Sequence, residues 1–265
     1  MAAVGDLSVL GNVKAWLNID SAQTASDANL ALLISAASRF VKQFTSKGVI
    51  LQSYTETYDG NGKSVLVLRQ QPVVSISSLY LDPQLATPIA QSVTGQSGWL
   101  IDNNQALRLT GYAFTKGVQN IRVTYKAGYQ VLGEAQAVPA TPYQINGLTQ
   151  LGDLWRSDLG VTFADATALA LVSGVPATGQ YAVTLAGLYT FAAADTGKTV
   201  LLSYTSVPRD LEQCVIELVG ERYRTKGRIG EASKAQAGET TSYSQKDMNS
   251  TVKLMLNQYR TIAPV

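Results

Sequence analysis

Apolar residues recur at helical spacing at both ends of this chain and at strand spacing through its middle, and that change of period constrains the fold more than any other feature. Leu10, Val13, Trp16 and Leu17 share one face of a short first helix, for which Ser8 is the expected N-cap. Ser26 and Asp27 introduce a longer helix whose stripe is Leu30, Leu33, Ile34, Ala37, Val41 and Phe44, with Gly48 as its expected stop. Helical spacing returns only after Pro208, a first-turn proline. Asp210 and Glu212 follow it at the positive helix end, and Leu211, Cys214, Val215, Leu218 and Val219 form the stripe. Met248, Val252, Met255, Leu256 and Tyr259 mark a last helix, with Ser244 and Asp247 in a capping-box-like arrangement.

Between the helices, strands follow one another closely. Ile50 to Tyr58 and Ser64 to Leu68 flank Asp59-Gly60-Asn61-Gly62 and predict a hairpin. Val73 to Leu81, Trp99 to Asp102, Ala106 to Leu109 and Ile121 to Tyr129 continue an antiparallel sheet. Gln130 to about Pro142 reads as loop, poor in large apolar residues and carrying two prolines. Beyond it Gly160 to Phe163, Ala168 to Val172, Gln180 to Leu185, Leu188 to Phe191 and Thr199 to Tyr204 suggest a small sandwich or barrel. Gly230 to Lys246 is polar and reads as linker. The expected fold class is α+β: helices flanking a small antiparallel β-sheet core, an inserted all-β, sandwich-like domain, and a C-terminal helical arm. The corresponding boundaries are 1–130 for the first part of the core, 131–206 for the insertion, 207–229 for the long helix, and 230–265 for linker and docking helix.

Composition removes whole classes of chemistry. The chain has no histidine, so Ser-His-Asp, Cys-His and His-metal sites are excluded. Cys214 is the single cysteine, which rules out an internal disulfide and a thiolate zinc cluster, and it stands among apolar residues as a core side chain. A net charge of +2 is too small to imply a nucleic-acid or membrane partner by bulk electrostatics. Hydrophobic residues at 46% against charged residues at 15% describe a surface thin in charge, as expected where neighbouring copies cover it. No secretory signal and no run of membrane-spanning length is evident, so a soluble protein of a cytoplasm-like compartment is expected.

Three local patterns suggest chemistry and are better read as structure. Gly197-Lys198-Thr199 resembles the end of a phosphate loop, but Ala192 stands where its first glycine belongs and a strand follows. Asp59-Gly60-Asn61-Gly62-Lys63 begins like a calcium loop, but Lys63 replaces an oxygen ligand. The 19 acidic residues fall mainly in helix first turns and loop tips, so no hydrolytic pair can be nominated. No cofactor, metal or catalytic residue is expected. The remaining candidates are interface residues. Arg222, Arg224, Lys226 and Arg228 cluster at the end of the third helix, where they suit either the helix dipole or a partner. The last helix, tethered by a polar segment, is expected to dock on a neighbour as a helix in a groove. A rival reading gives the inserted domain a carbohydrate or host-surface ligand held by Tyr181 and Tyr189.

Taken in order, the segments resemble the head-tail connector (adaptor) proteins of tailed bacteriophages. The resemblance rests on Val13-Lys14-Ala15-Trp16-Leu17, on Asp27-x-x-Leu30-x-x-Leu33-Ile34-x-x-Ala37-Ser38 and on Thr55-Glu56-Thr57-Tyr58-Asp59-Gly60. Leu66-x-Leu68-x-x-x-Pro72-Val73-x-Ser75-Ile76 and Val123-Thr124-Tyr125-x-Ala127-Gly128-Tyr129 continue it. It resumes at Val207-Pro208-x-Asp210-Leu211 and Glu221-Arg222-Tyr223, and closes at Leu256-x-x-Tyr259-Arg260. Where the family runs almost directly from the Gly-Tyr pair to the Val-Pro helix start, Gln130 to Ser206 intervenes. Within that insertion Tyr189-Thr190-Phe191-x-x-x-Asp195-x-Gly197-Lys198-x-Val200 is similar to β modules spliced into phage structural proteins.

The resemblance implies a homo-oligomeric ring, typically of twelve copies, beneath the portal in the neck of a virion assembled in a bacterial cytoplasm. Such a ring extends the DNA channel, through which DNA passes without sequence-specific binding, and receives a downstream stopper or tail protein; no membrane is involved. It further implies that the basic helix end and Met248, Val252, Met255, Leu256, Tyr259 and Arg260 carry contacts to portal and adjacent subunits. The insertion is expected at the ring's periphery. A tail-completion or stopper ring is the alternative within the virion.

Overall fold

The computed structural model describes residues 5–82, 84–86, 88, 97–147, 152–226, 233–236, 239–242 and 248–260. The chain is α+β and divides into two compact units. One gathers the helices from both ends of the sequence; the other holds the strands between Lys47 and Pro208.

The helical unit contains α1 (Leu10–Leu17), α2 (Asp27–Thr45), α3 (Arg209–Thr225) and α4 (Ser250–Tyr259). Their stripes are the expected ones: Val13, Leu30, Ile34, Ala37, Val41, Leu211, Cys214, Val215, Leu218, Val219, Val252 and Leu256 are all buried. Burial pushes the Cys214 thiol up to about 12, so it stays protonated and inert near neutral pH. The helix ends differ from expectation at three positions. Ser8 does not cap α1, whose N-cap is Val9; its hydroxyl donates to Glu212 at 3.3 Å. Ser26 stands at the N-cap of α2 without a side-chain cap, and its hydroxyl pairs with that of Tyr223 at 2.9 Å. Helix α2 ends at Ser46 in the left-handed region, not at Gly48. In the first two cases a tertiary partner takes the hydroxyl from the local one.

Lys14 is the polar residue inside the first motif, and it too is buried. Its ammonium reaches Asp27 at 2.6 Å, the Gln23 carbonyl at 2.7 Å and the Ser21 carbonyl at 3.2 Å, which fixes the loop between α1 and α2. A buried cation persists only with such partners. The stretch read as linker holds a short hairpin, β15 (Ser233–Gln236) and β16 (Glu239–Ser242). Ser244 and Asp247 lie outside the described residues; the N-cap of α4 is Asn249, which accepts from the Thr251 amide at 3.2 Å.

In the strand unit, β1 (Gln52–Gly60), β7 (Gly117–Ala127), β3 (Val73–Leu81) and β4 (Gln84–Leu85) form one antiparallel sheet in the order β1-β7-β3-β4. A second sheet runs β2 (Val65–Val67), β6 (Ala106–Thr110), β5 (Gly98–Asp102). Their inner faces share a core that includes Tyr58, Leu68, Leu79, Trp99, Leu107 and Tyr125. The expected hairpin at Asp59-Gly60-Asn61-Gly62 is therefore corrected. The turn exists, with Gly62 at φ +76° and Asn61 accepting from the Lys63 amide, but β1 pairs with β7 and β2 with β6, so it carries the chain between sheets. Glu56 draws the hydroxyls of Tyr58 and Tyr125 to its carboxylate on the inner face, where burial and that carboxylate push the Tyr58 phenol up to about 12.

The remaining strands enclose a separate core. β8 (Gln130–Ala137), β14 (Thr199–Val207) and β10 (Leu154–Phe163) form one sheet, and β9 (Gln144–Asn146), β13 (Leu188–Phe191), β12 (Gln180–Val183) and β11 (Ala170–Leu171) the other. Trp155, Tyr181, Tyr189, Phe191, Leu202 and Tyr204 are among the side chains between them. Strand β8 corrects the loop expected there. It is an edge strand whose single buried side chain is a carboxylate, Glu134, satisfied by Tyr204 and Gln136, so no apolar alternation announces it. Asp195, fully buried, accepts from the Gly179 amide at 2.9 Å and pairs with Lys198 at 2.7 Å, and strand β14 follows. The Gly-Lys-Thr triplet is thus a turn into a strand.

Candidate functional site

Helix α3 is the element that organises the helical unit. Its first turn holds Glu212, fully buried, whose carboxylate receives Arg209 at 2.7 Å, Asn12 at 2.6 Å and the Ser8 hydroxyl. That contact pins the start of α1 to the start of α3. Gly220, in the interior of α3, faces α1: a Cβ there would meet Trp16 and Leu17 at 3.6 Å, an ordinary contact. Gly220→Ala is therefore expected to stabilise the chain by about 0.5–1 kcal/mol, through helix propensity without a clash, as a rise in the urea midpoint.

The far end of α3 carries the cations, and the structure separates them by role. Arg222 lies over the Phe40 ring at 5.8 Å, half-buried, while Arg260 lies over Phe44 at 5.9 Å. Phe40 and Phe44 are one turn apart on α2 with ring centroids 6.1 Å apart, so two guanidinium groups from α3 and the end of α4 cover one aromatic pair. Lys226 stands 5.2 Å over Tyr223 and is exposed, as is Arg224. Arg228 lies outside the described residues. Arg224 and the half-buried Met248 line a hollow of ≈ 690 Å³ with Trp16, Glu217 and Glu221; Trp16 is 49% exposed. Along α3 the surface thus changes sign from Glu217 and Glu221 to Arg224 and Lys226.

The last helix is placed differently from expectation. Val252 and Leu256 are buried within the helical unit, where α4 packs on α2 and α3, and the Tyr259 hydroxyl donates to Asp210 at 3.4 Å. Its apolar stripe is used inside the chain. Among the side chains α4 leaves outside are Lys253 and Leu254, with Met255 and Tyr259 half-buried and Arg260 exposed just past its end. Phe40, Phe44 and Trp16 escaped the sequence reading as surface residues because they continue the apolar stripes of α2 and α1; their position at the stripe's margin is the only signal.

Burial removes the two tyrosines on which the carbohydrate reading rests. Tyr181 and Tyr189 are core residues, and both hydroxyls donate to Asp158, at 2.5 and 3.0 Å, so neither ring offers a face to a ligand. Among the described residues no group of three or more metal-ligating side chains is assembled, and no helix is long and apolar enough to cross a membrane.

Two structural connector families match the chain, one from each end. Residues 7–140 match the head completion protein family, and residues 184–260 match the phage gp6-like head-tail connector protein family. The first match spans just over half of the 265 residues, and the chain belongs to the head completion protein family. The expected resemblance to head-tail connectors is borne out, and residues 141–183, inside the expected insertion, fall between the two matches. Similar solved chains occur in the neck of a native GTA particle computed with C12 symmetry, at 14% identity and a TM-score of 0.44. Others come from the neck of an empty GTA particle computed with C6 symmetry, at 15% and 0.39, and from the virion of a native gene transfer agent particle, at 14% and 0.46. Each comparison covers 100% of this chain and 95% of the other. None of the curated proteins compared with the chain matches it.

Proposed function

We infer that the protein is a head-tail adaptor of the virion neck: copies form a ring beneath the portal, continue the DNA channel after packaging, and offer a seat to the next connector or tail component. The observation that carries this reading is the pair of connector matches, residues 7–140 and 184–260, at the two ends of the chain. The work is assembly, with no bond made or broken. Supporting it, the helical unit exposes Trp16 and Arg224, side-chain types common at interface anchors.

Removing everything from α4 onward is a poor test, because Val252 and Leu256 are core residues and their loss would uncover α2 and α3. The exposed cations give a cleaner one. Arg224→Glu with Lys226→Glu is expected to reduce attachment to portal-bearing heads at least tenfold while leaving the circular dichroism spectrum unchanged, since rim charges act on association more than on folding. Electron microscopy of the wild-type protein alone and mixed with portal should show rings that cap the portal. Dispersed monomers that ignore the portal would refute the reading.

A further inference from the structure

The sheet formed by β1, β7 and β3 has one face in the core and one in solvent, and the two faces differ in chemistry. Register fixes the solvent face row by row. Ser53, Lys126 and Ser75 stand side by side in one row, and Thr55, Thr124 and Ser78 in the next. Thr57, Arg122 and Tyr80 complete the face. Six of these positions bear aliphatic hydroxyls, two bear cations, and none bears a carboxylate. The one acidic residue that β1 holds beside these rows, Glu56, points to the other face and engages Tyr58 and Tyr125 there. Asp59 and Asp82 come only past the last row, where the Asp59 carboxylate is occupied by the Gln119 amide at 2.6 Å and Asp82 borders a hollow shared with Thr57, Tyr80 and Arg122.

The groups are held ready. The Thr55 and Thr124 hydroxyls meet at 3.2 Å, and Arg122 is seated over the Tyr80 ring at 4.5 Å. Arg122 and Lys126, both exposed, are four residues apart on one strand, roughly 13 Å, with Thr124 between them. Cations interleaved with hydroxyl donors, in rows that hold no carboxylate, are what phosphate oxygens bind. Contacts of this kind to phosphate oxygens carry no base information, so they would be independent of sequence.

We propose that this solvent face of the β1-β7-β3 sheet is a contact surface for the phosphate backbone of duplex DNA. It rests on the adaptor reading for the source of the duplex, and it adds the surface that meets it. Two phosphates per subunit bind weakly and reversibly with salt, which suits a duplex that must move past the protein. Against the chain's overall charge of +2, the local patch concentrates what the bulk dilutes.

The test is fluorescence anisotropy of a short labelled duplex with the intact protein over a salt series, with the oligomeric state measured on the same samples by mass photometry. Arg122→Thr with Lys126→Thr keeps the face hydroxylated and strand-compatible. It is expected to weaken binding about tenfold at low salt and to make the salt slope shallower by about 1.8 per engaged subunit. The matched control, Lys63→Ser with Lys116→Ser, removes two exposed cations near the β1–β2 turn and should leave binding within about twofold. Equal losses in both variants, no loss in the first, or no binding by the wild type each overturn the proposal. Rings that form and cap the portal without face-dependent DNA binding sink this inference alone; absence of rings and of portal attachment sinks the adaptor reading instead.

Discussion

Gly128→Ala is expected to prevent the strand unit from folding, with a loss of stability of at least about 4 kcal/mol and no soluble protein at growth temperature. Two independent penalties meet at this position. Gly128 has φ +138°, where an L side chain is strained. A Cβ would also lie 2.4 Å from the Leu51 backbone nitrogen and Cα, atoms that cannot rotate away as the end of a side chain could. The Leu51 backbone cannot simply retreat, because the Gly128 amide bonds the Pro72 carbonyl at 2.9 Å and the Tyr129 amide bonds that of Val49 at 3.1 Å. Three segments therefore converge on one backbone: the entry to β1, the entry to β3 and the exit of β7. Expression and solubility of the variant beside Gly133→Ala checks this. Gly133 also has positive φ but nothing within 4 Å of its Cβ, so it pays only the conformational penalty, about 1 kcal/mol. Comparable soluble yields from both would show that the approach at Gly128 is not what it is taken to be.

The contrast explains what a sequence can and cannot announce. Ala127-Gly128-Tyr129 was legible as a family motif, but the reason for its glycine is a neighbour 77 positions earlier, Leu51, which no local pattern contains. The helices were legible because each buries one regular stripe, and the strands from Val73 to Leu81 and from Thr199 onward because they alternate or run apolar. Strand β8 was not, since an edge strand over a buried carboxylate has no apolar period to read. Capping residues misled for a related reason: Ser8 and Ser26 are the right chemistry for helix starts, yet each hydroxyl reaches across to α3. The candidate site was half visible. Arg222, Arg224 and Lys226 were named from the sequence, whereas the rings that Arg222 and Arg260 cover sit in α2 and emerge only when the helices are packed. The stripe of α4 was read correctly as apolar and wrongly as free, because periodicity shows that a face must be buried without showing against what.

Glu212→Ala is the second large effect, and it falls on the helical unit. The expected loss is about 3 kcal/mol in chemical denaturation followed by helical dichroism, and the argument turns on what is left behind. The carboxylate is fully buried and accepts from Asn12, Ser8 and Arg209 at once. Arg209 is 63% exposed and returns to water at little cost when its partner is removed, so the guanidinium contributes little to this loss. The Ser8 hydroxyl, on a residue with no exposed surface, cannot do so, and the partly covered Asn12 amide can do so only in part. An unsatisfied buried donor costs about 1–3 kcal/mol, which makes the start of α1 the origin of most of the loss. Arg209→Ala leaves the fully buried carboxylate with neutral donors alone and should itself cost at least about 2 kcal/mol, whereas Glu212→Gln, which keeps one acceptor oxygen and carries no charge, should cost less than Glu212→Ala. If Glu212→Gln proves as costly as Glu212→Ala, the charge pair and not the buried acceptor holds α1 on α3, and the roles given to Ser8 and Asn12 fail.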